Sequence, residues 1–320
     1  MIGKHKDTDY YLIVNPHSGG DKSKQQIVKD FEDAAGRLGA RLTVYYTKAK
    51  GDAIDYIRRV CKDSTDNKTL RFYGIGGDGT VNELVNGAYG FADVEIGIIP
   101  AGTGNDFIRN FGSRDLFLNA EAQIAGQSRP CDLIKYSAQL GDKREDGLCA
   151  NMFNIGLDCN IVITTEKVKN VPFIGGSLAY LIAVAINIIK KAGVNVRIEY
   201  EDGQVADGSI LLVSIANGCF CGGGIKGLPL SKTDDGLFDI SKINDVSRLD
   251  FIRLFPLYKK GTHLDNKLIK NKNILTYKQG ERLKVTTNGQ AFGLCVDGQV
   301  TTCESISFNM IPKAINFIIP

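Results

Sequence analysis

Short apolar runs alternate with amphipathic stretches over the first 130 residues. Residues 10–15 (YYLIVN), 42–47 (LTVYYT), 70–76 (LRFYGIG) and 94–100 (VEIGIIP) predict strands. Residues 22–38, 53–61 and 81–88 carry helical periodicity between them. Strands and helices in strict alternation predict an open parallel sheet with helices on its faces. Such sheets bind ligands beyond the carboxyl ends of their strands. The Gly-rich segments of this half of the chain fall at those ends. After Pro130 the pattern changes. Strand-like runs at 149–155, 194–200, 210–216, 237–243, 274–277, 282–286, 292–296 and 305–310 follow one another through turns, and 177–191 and 249–259 look helical. That predicts an antiparallel sheet or sandwich.

Composition narrows this picture without redrawing it. A chain of 320 residues has room for two domains, and 43% hydrophobic residues with 23% charged are ordinary globular values. A net charge of +3 argues against bulk nucleic-acid binding, which needs a strongly basic domain. The eight cysteines are scattered, with no C-x-x-C spacing, and read as free thiols in a reducing compartment. Residues 171–189 approach membrane-spanning length, but Pro172, Gly175, Gly176 and Asn187 interrupt them, so a buried helix in a soluble, cytoplasmic protein is expected. The N-terminus shows no signal-peptide pattern. Lysines at 259, 260, 267, 270 and 272 could meet anionic headgroups, although a solvated basic face is the more ordinary reading.

The candidate chemistry lies in three loops. Gly74-Ile75-Gly76-Gly77-Asp78-Gly79-Thr80 joins a strand to a helix, where glycines let the backbone approach an anion and the helix N-terminus offers N–H groups to a phosphate. Asp78 adds a carboxylate suited to Mg²⁺. Asn15-Pro16-His17-Ser18-Gly19-Gly20 ends the first strand and Pro100-Ala101-Gly102-Thr103-Gly104-Asn105-Asp106 the fourth, so all three predict one phosphate site. The spacing Gly74, Gly76, Gly79 satisfies G-x-G-x-x-G, but Glu95 lies inside the next strand and not at its end, which argues against a dinucleotide fold. No P-loop occurs, and Pro16 stands where a G-x-S-x-G elbow needs its first Gly.

NPHSGG, GGDGTVNEL and PAGTGNDF, in this order and spacing, resemble the catalytic domain of the diacylglycerol kinases, closest to the bacterial soluble lipid kinases and related to sphingosine and ceramide kinases. GGDGT alone is shared with NAD kinases and phosphofructokinases. The resemblance implies an α/β nucleotide-binding domain of that type over residues 1–130 and 307–320. It implies a β-sandwich domain carrying the acceptor features over 131–306. It implies ATP contacts from Asn15, Pro16, His17, Ser18, Gly19, Thr47, Gly76, Gly77, Asp78, Gly79, Thr80, Val81, Asn82 and Thr103. A Mg²⁺ site would come from the Asp235 carboxylate with the carbonyls of Lys232 and Leu237, where a plain Asp-Gly turn is the simpler reading. Asp297 would be the catalytic carboxylate, in Asp297-Gly298-Gln299 where the family has D-G-E. Gln299 hydrogen-bonds but takes no proton at neutral pH.

The expected activity is therefore transfer of the γ-phosphoryl of ATP, with Mg²⁺, to a lipid hydroxyl, diacylglycerol giving phosphatidic acid. The expected partners are ATP and a lipid met in peripheral contact with the inner membrane face, with no nucleic acid; oligomeric state stays open, a homodimer included. Two other readings remain: an NAD kinase relative, and a nucleotide or lipid sensor without turnover. The helix expected over 177–191 could line the lipid pocket through residues 178–189 or pack in the core.

Overall fold

The computed structural model describes residues 8–16, 21–64, 68–169, 183, 186, 193–287 and 289–320. The chain divides into two compact units, Met1–Leu133 with Ile311–Pro320, and Ile134–Met310.

In the first unit, β1 (Thr8–Val14), α1 (Asp21–Leu38), β2 (Arg41–Tyr46), α2 (Asp52–Asp63), β3 (Thr69–Gly76), α3 (Asp78–Ala88) and β4 (Val94–Pro100) alternate along the chain. A short 3-10 turn (Phe107–Asn110), α4 (Arg114–Leu118) and α5 (Ala120–Ala125) follow. The strands lie in the order β2-β1-β3-β4, all parallel. β3 and β4 are buried along nearly their whole length, as central parallel strands covered on both faces must be. β2, at the edge, alternates exposed and half-buried residues. Val28, Phe31 and Ala35 of α1 pack with Leu12, Tyr73 and Ile75 of the sheet. The end of the last strand, β15 (Ser305–Ile319), pairs in parallel with β4 through Asn316 opposite Glu95 and Phe317 opposite Ile96.

In the second unit the pairing is antiparallel. β5 (Gln127–Leu140) enters it from the first unit and forms a hairpin with β6 (Lys143–Cys149). β7 (Met152–Gly156), α6 (Leu157–Lys169), β8 (Val194–Tyr200), β9 (Val205–Ala216) and β10 (Phe238–Asn244) follow. Then come α7 (Arg248–Lys260), α8 (Lys267–Asn271), β11 (Leu275–Gly280), β12 (Arg282–Thr286), β13 (Phe292–Val296) and β14 (Gln299–Cys303). β9 is long enough to take two partners on one side, β7 against residues 212–216 and β8 against 205–210. Its other side pairs with β10, which pairs with β11. Phe153, Ile198, Val213, Phe238, Leu294 and Phe308 fill the core of this β-sandwich-like unit.

All eight cysteines are free, six of them buried. No described helix is long and apolar enough to cross a membrane, and the apolar stretch 171–189, with the helix expected over 177–191, lies almost wholly outside the described residues.

Candidate active site

The strand order places a topological switch point between β1 and β3: the chain leaves β1 toward β2, then returns to β1's other flank as β3. Ligands of doubly wound sheets bind at such a point, beyond the carboxyl ends of the strands. Asn15 and Pro16 follow β1 and Gly77 follows β3, so two of the three loops start from neighbouring strand ends; the third follows β4, beside β3.

The loops after β3 and β4 are tied together by backbone. The Gly76 carbonyl accepts from the N–H groups of Ala101 and Gly102, at 2.8 and 3.2 Å. A Cβ added at Gly102 would lie 2.5 Å from the Gly77 Cα, so the two loops touch main chain to main chain. Asn105, at φ 50°, returns its amide to the Gly102 carbonyl at 2.6 Å. Gly77 caps α3, which starts at Asp78, three residues before the helix the sequence pattern predicts. Asp78, Gly79 and Thr80 are thus its first turn, where N–H groups lack helical partners and an acidic side chain is favoured.

Asp78 has a job the sequence did not announce. Its Oδ1 accepts from the backbone N–H of Asp106 at 2.7 Å and of Phe107 at 3.1 Å, anchoring the third loop to the second. Asp106 also pairs with Arg109 at 3.5 Å. Two carboxylates, Asp78 and Asp106, therefore flank Gly104, each within about 3 Å of where its Cβ would stand. The rest of the expected nucleotide set is dispersed in role. Thr103 is exposed at the loop tip, Asn82 is half-buried on α3, and Val81 is core. Thr47 is buried, with N–H and hydroxyl both directed to the Val14 carbonyl. His17, Ser18 and Gly19 lie outside the described residues.

Lys24 escaped the sequence reading. It is 4% exposed, and its Nζ donates to the carbonyls of Asn15 and Pro16 at 2.9 and 2.8 Å, placing a buried cation at the end of β1. The signal was present: Lys24 occupies the apolar stripe of α1 that Val28, Phe31 and Ala35 continue.

In the second unit, Asp297 and Gly298 form the two-residue turn between β13 and β14, at φ 45° and 85°. Positive φ at both positions is the type I′ hairpin that Asp-Gly favours. Asp297 is 7% exposed. Its Oδ1 accepts from the Met152 N–H and the Cys149 thiol, each at 3.1 Å, while its own N–H donates to the Met152 carbonyl. Burial and the Asp297 carboxylate push the Cys149 thiol far up, so it stays protonated and donating.

Asp235 holds the Leu237 N–H at 3.2 Å in an Asp-Gly turn with Gly236 at φ 80°. Two residues on, Asp239 is fully buried and neither of its carboxylate oxygens has a hydrogen bond of normal geometry. Burial holds that carboxyl above its ordinary value, against Tyr277, Ser231 and Gln279, which work the other way. Among the described residues no three His, Cys, Asp or Glu side chains cluster as a metal site.

Comparison with known proteins agrees with the two-domain fold and shows the family. Residues 9–136 match the diacylglycerol kinase catalytic domain, and residues 152–319 match the YegS C-terminal NAD kinase beta sandwich-like domain. The diacylglycerol kinase of Bacillus subtilis (strain 168) is 27% identical over 316 residues, covering 97% of this chain and 95% of that protein. A solved diacylglycerol kinase structure from Bacillus anthracis str. Sterne shares the fold, with a TM-score of 0.68 at 22% identity over 98% of this chain and 97% of that one. Fold, loops and matches define a lipid kinase. The chain belongs to the diacylglycerol kinase catalytic-domain family, with the YegS-type second domain.

Proposed function

We propose that the chain transfers the γ-phosphoryl of ATP to the free hydroxyl of diacylglycerol, yielding phosphatidic acid. The contact of the Gly-rich loops after β3 and β4, at the carboxyl end of a parallel sheet, carries this reading, because it supplies backbone donors and a helix N-terminus for a polyphosphate. Lys24 holds the first loop and adds positive charge beneath it. Asp78 keeps the second and third loops in register. Asp297, fixed by two donors on Oδ1, orients the acceptor hydroxyl and takes its proton as the bond to phosphorus forms. Gln299, half-buried at the start of β14, takes no proton, which leaves the base role with Asp297.

A divalent cation fits two places. Asp78 and Asp106 offer carboxylates beside the phosphate loops, and the 231–239 segment offers Asp235 and the buried carboxyl of Asp239, with the carbonyls of Lys232 and Leu237. Held by Asp78 and Asp106, Mg²⁺ would supply charge neutralisation to the phosphates; held by the 231–239 segment, it would be structural. Incubation of the full chain with γ-labelled ATP and a total lipid extract tests the function. Labelled phosphatidic acid is expected; label in NADP instead, when NAD is added, would move the chain to the NAD kinases.

A further inference from the structure

Helix α7 presents two contrasting faces. Phe251, Leu254, Phe255 and Tyr258 point inward and line an apolar cavity closed by Ile243, Ile269 and their neighbours. The opposite face exposes Leu249 (67%) and Ile252 (59%), among the most exposed large apolar side chains described. Leu249, Arg253, Pro256 and Lys260 follow one another at i, i+4, i+7 and i+11, all exposed, so they share one stripe with Ile252 at its edge. Folding gains nothing from Leu249 or Ile252 in water. Pro256, inside the helix, removes the N–H that the Ile252 carbonyl would otherwise bond.

Charge concentrates in the same stretch of the chain. Residues 248–272 hold seven Arg and Lys against two Asp, a surplus of five where the entire chain has a surplus of three, so the remainder of the chain is net acidic. Both acids are already engaged, Asp250 by Lys272 at 2.9 Å and Asp265 by Lys270 at 3.3 Å. Lys259, Lys260 and Lys267 have no carboxylate partner among the described residues, and Arg253 shares Asp250 with Lys272.

We infer that the outer face of α7, with the lysines of α8, is the surface by which this kinase docks on an anionic phospholipid bilayer. Protruding aliphatic side chains set among cations are the composition of interfacial helices, whose apolar tips enter the acyl boundary while cations meet headgroups. A second copy of the chain fits this face poorly, since a two-fold contact would set the basic patch against itself. The assignment rests on the lipid-kinase reading for its biological sense, because the acceptor resides in a bilayer, but its test does not need catalysis.

The full chain is sedimented, without ATP, with vesicles of phosphatidylcholine alone and of phosphatidylcholine with phosphatidylglycerol. Binding to the mixed vesicles is expected, weakening as salt rises. Arg253→Gln with Lys260→Gln should cut that binding roughly tenfold or more, and Leu249→Ser with Ile252→Ser about tenfold, all four positions being exposed and the fold checked by melting. Turnover of a short-chain diacylglycerol dispersed as monomers should match the parent in both variants, while turnover of vesicle-embedded diacylglycerol falls. Equal sedimentation of variants and parent would overturn the assignment, and so would loss of a dimer in the apolar variant without loss of vesicle binding. If no diacylglycerol is turned over by any form yet the variants still lose vesicle binding, the docking surface stands and the substrate reading fails.

Discussion

Asp78 separates two roles that a single substitution can tell apart. Asn in its place keeps an oxygen able to accept the N–H groups of Asp106 and Phe107, but removes the charge. Asp78→Asn should therefore melt within about 1 kcal/mol of the parent and lose about 10²- to 10³-fold in turnover. Asp78→Ala should lose both stability and activity, and near-parental kinetics in either would remove this carboxylate from the reaction. Asp297 invites the same comparison, because Asn preserves the contacts from Met152 and Cys149. Asp297→Asn should lower kcat by about 10² to 10⁴ with ATP affinity little changed, and Gln299→Glu should leave turnover equal or higher. Turnover appearing only with Gln299→Glu would transfer the base role to position 299. His263 governs a different observable. It is 1% exposed, neither ring nitrogen has a hydrogen bond of normal geometry, and burial pushes the imidazole from 6.5 down to about 4. Below pH 6.5 the unfolded chain takes up a proton that the folded one refuses until about pH 4, so stability falls as pH drops through that window. The contribution reaches about 3 kcal/mol, and denaturation midpoints of His263→Phe should lack that part of the decline.

At the scale of elements, the legibility of the chain followed how strongly one face of each element is committed. β1, β3 and β4 read clearly because parallel strands covered on both faces are largely continuous apolar runs, and the half-exposed edge strand β2 read through its β-branched and aromatic residues. The hairpin of β5 and β6 did not, since KREDGLC is exposed over its first four residues and carries no alternation. α6 was hidden for another reason. LDCNIVITTEKVK is rich in β-branched residues, yet Thr164 and Thr165 turn their hydroxyls onto the carbonyls of Asn160 and Ile161 within the helix. The Gly-rich loops were visible, but their mutual contact was not, because no sequence signal says that Gly77 meets Gly102. Gly102→Ala should therefore cost activity and stability together, the new Cβ lying 2.5 Å from the Gly77 Cα. A variant as active and stable as the parent would mean that the loops do not need this approach. Lys24 went unread although its place on the apolar stripe of α1 marked it, whereas the inner contacts of Asp297 depend on an N–H and a thiol that tertiary structure alone assembles.

For the molecule as a whole, the two matched domains span nearly the whole chain, and the glycine loops and the Asp297 turn fall one in each. A cation at Asp235 and Asp239 would link metal to folding. Without nucleotide, Mg²⁺ should raise the melting temperature of the parent, following mass action, and leave Asp235→Ala unmoved. Equal shifts in both would exclude that segment. The central claim is chemical, and the most direct measurement follows phosphatidic acid formed by the full chain from ATP, Mg²⁺ and diacylglycerol, beside Asp78→Asn and Asp297→Asn. Steady turnover by the parent is expected, with a loss of at least about 10²-fold in each variant while both remain folded. ATP binding with no phosphorylated lipid from any acceptor would contradict it and make the chain a nucleotide sensor.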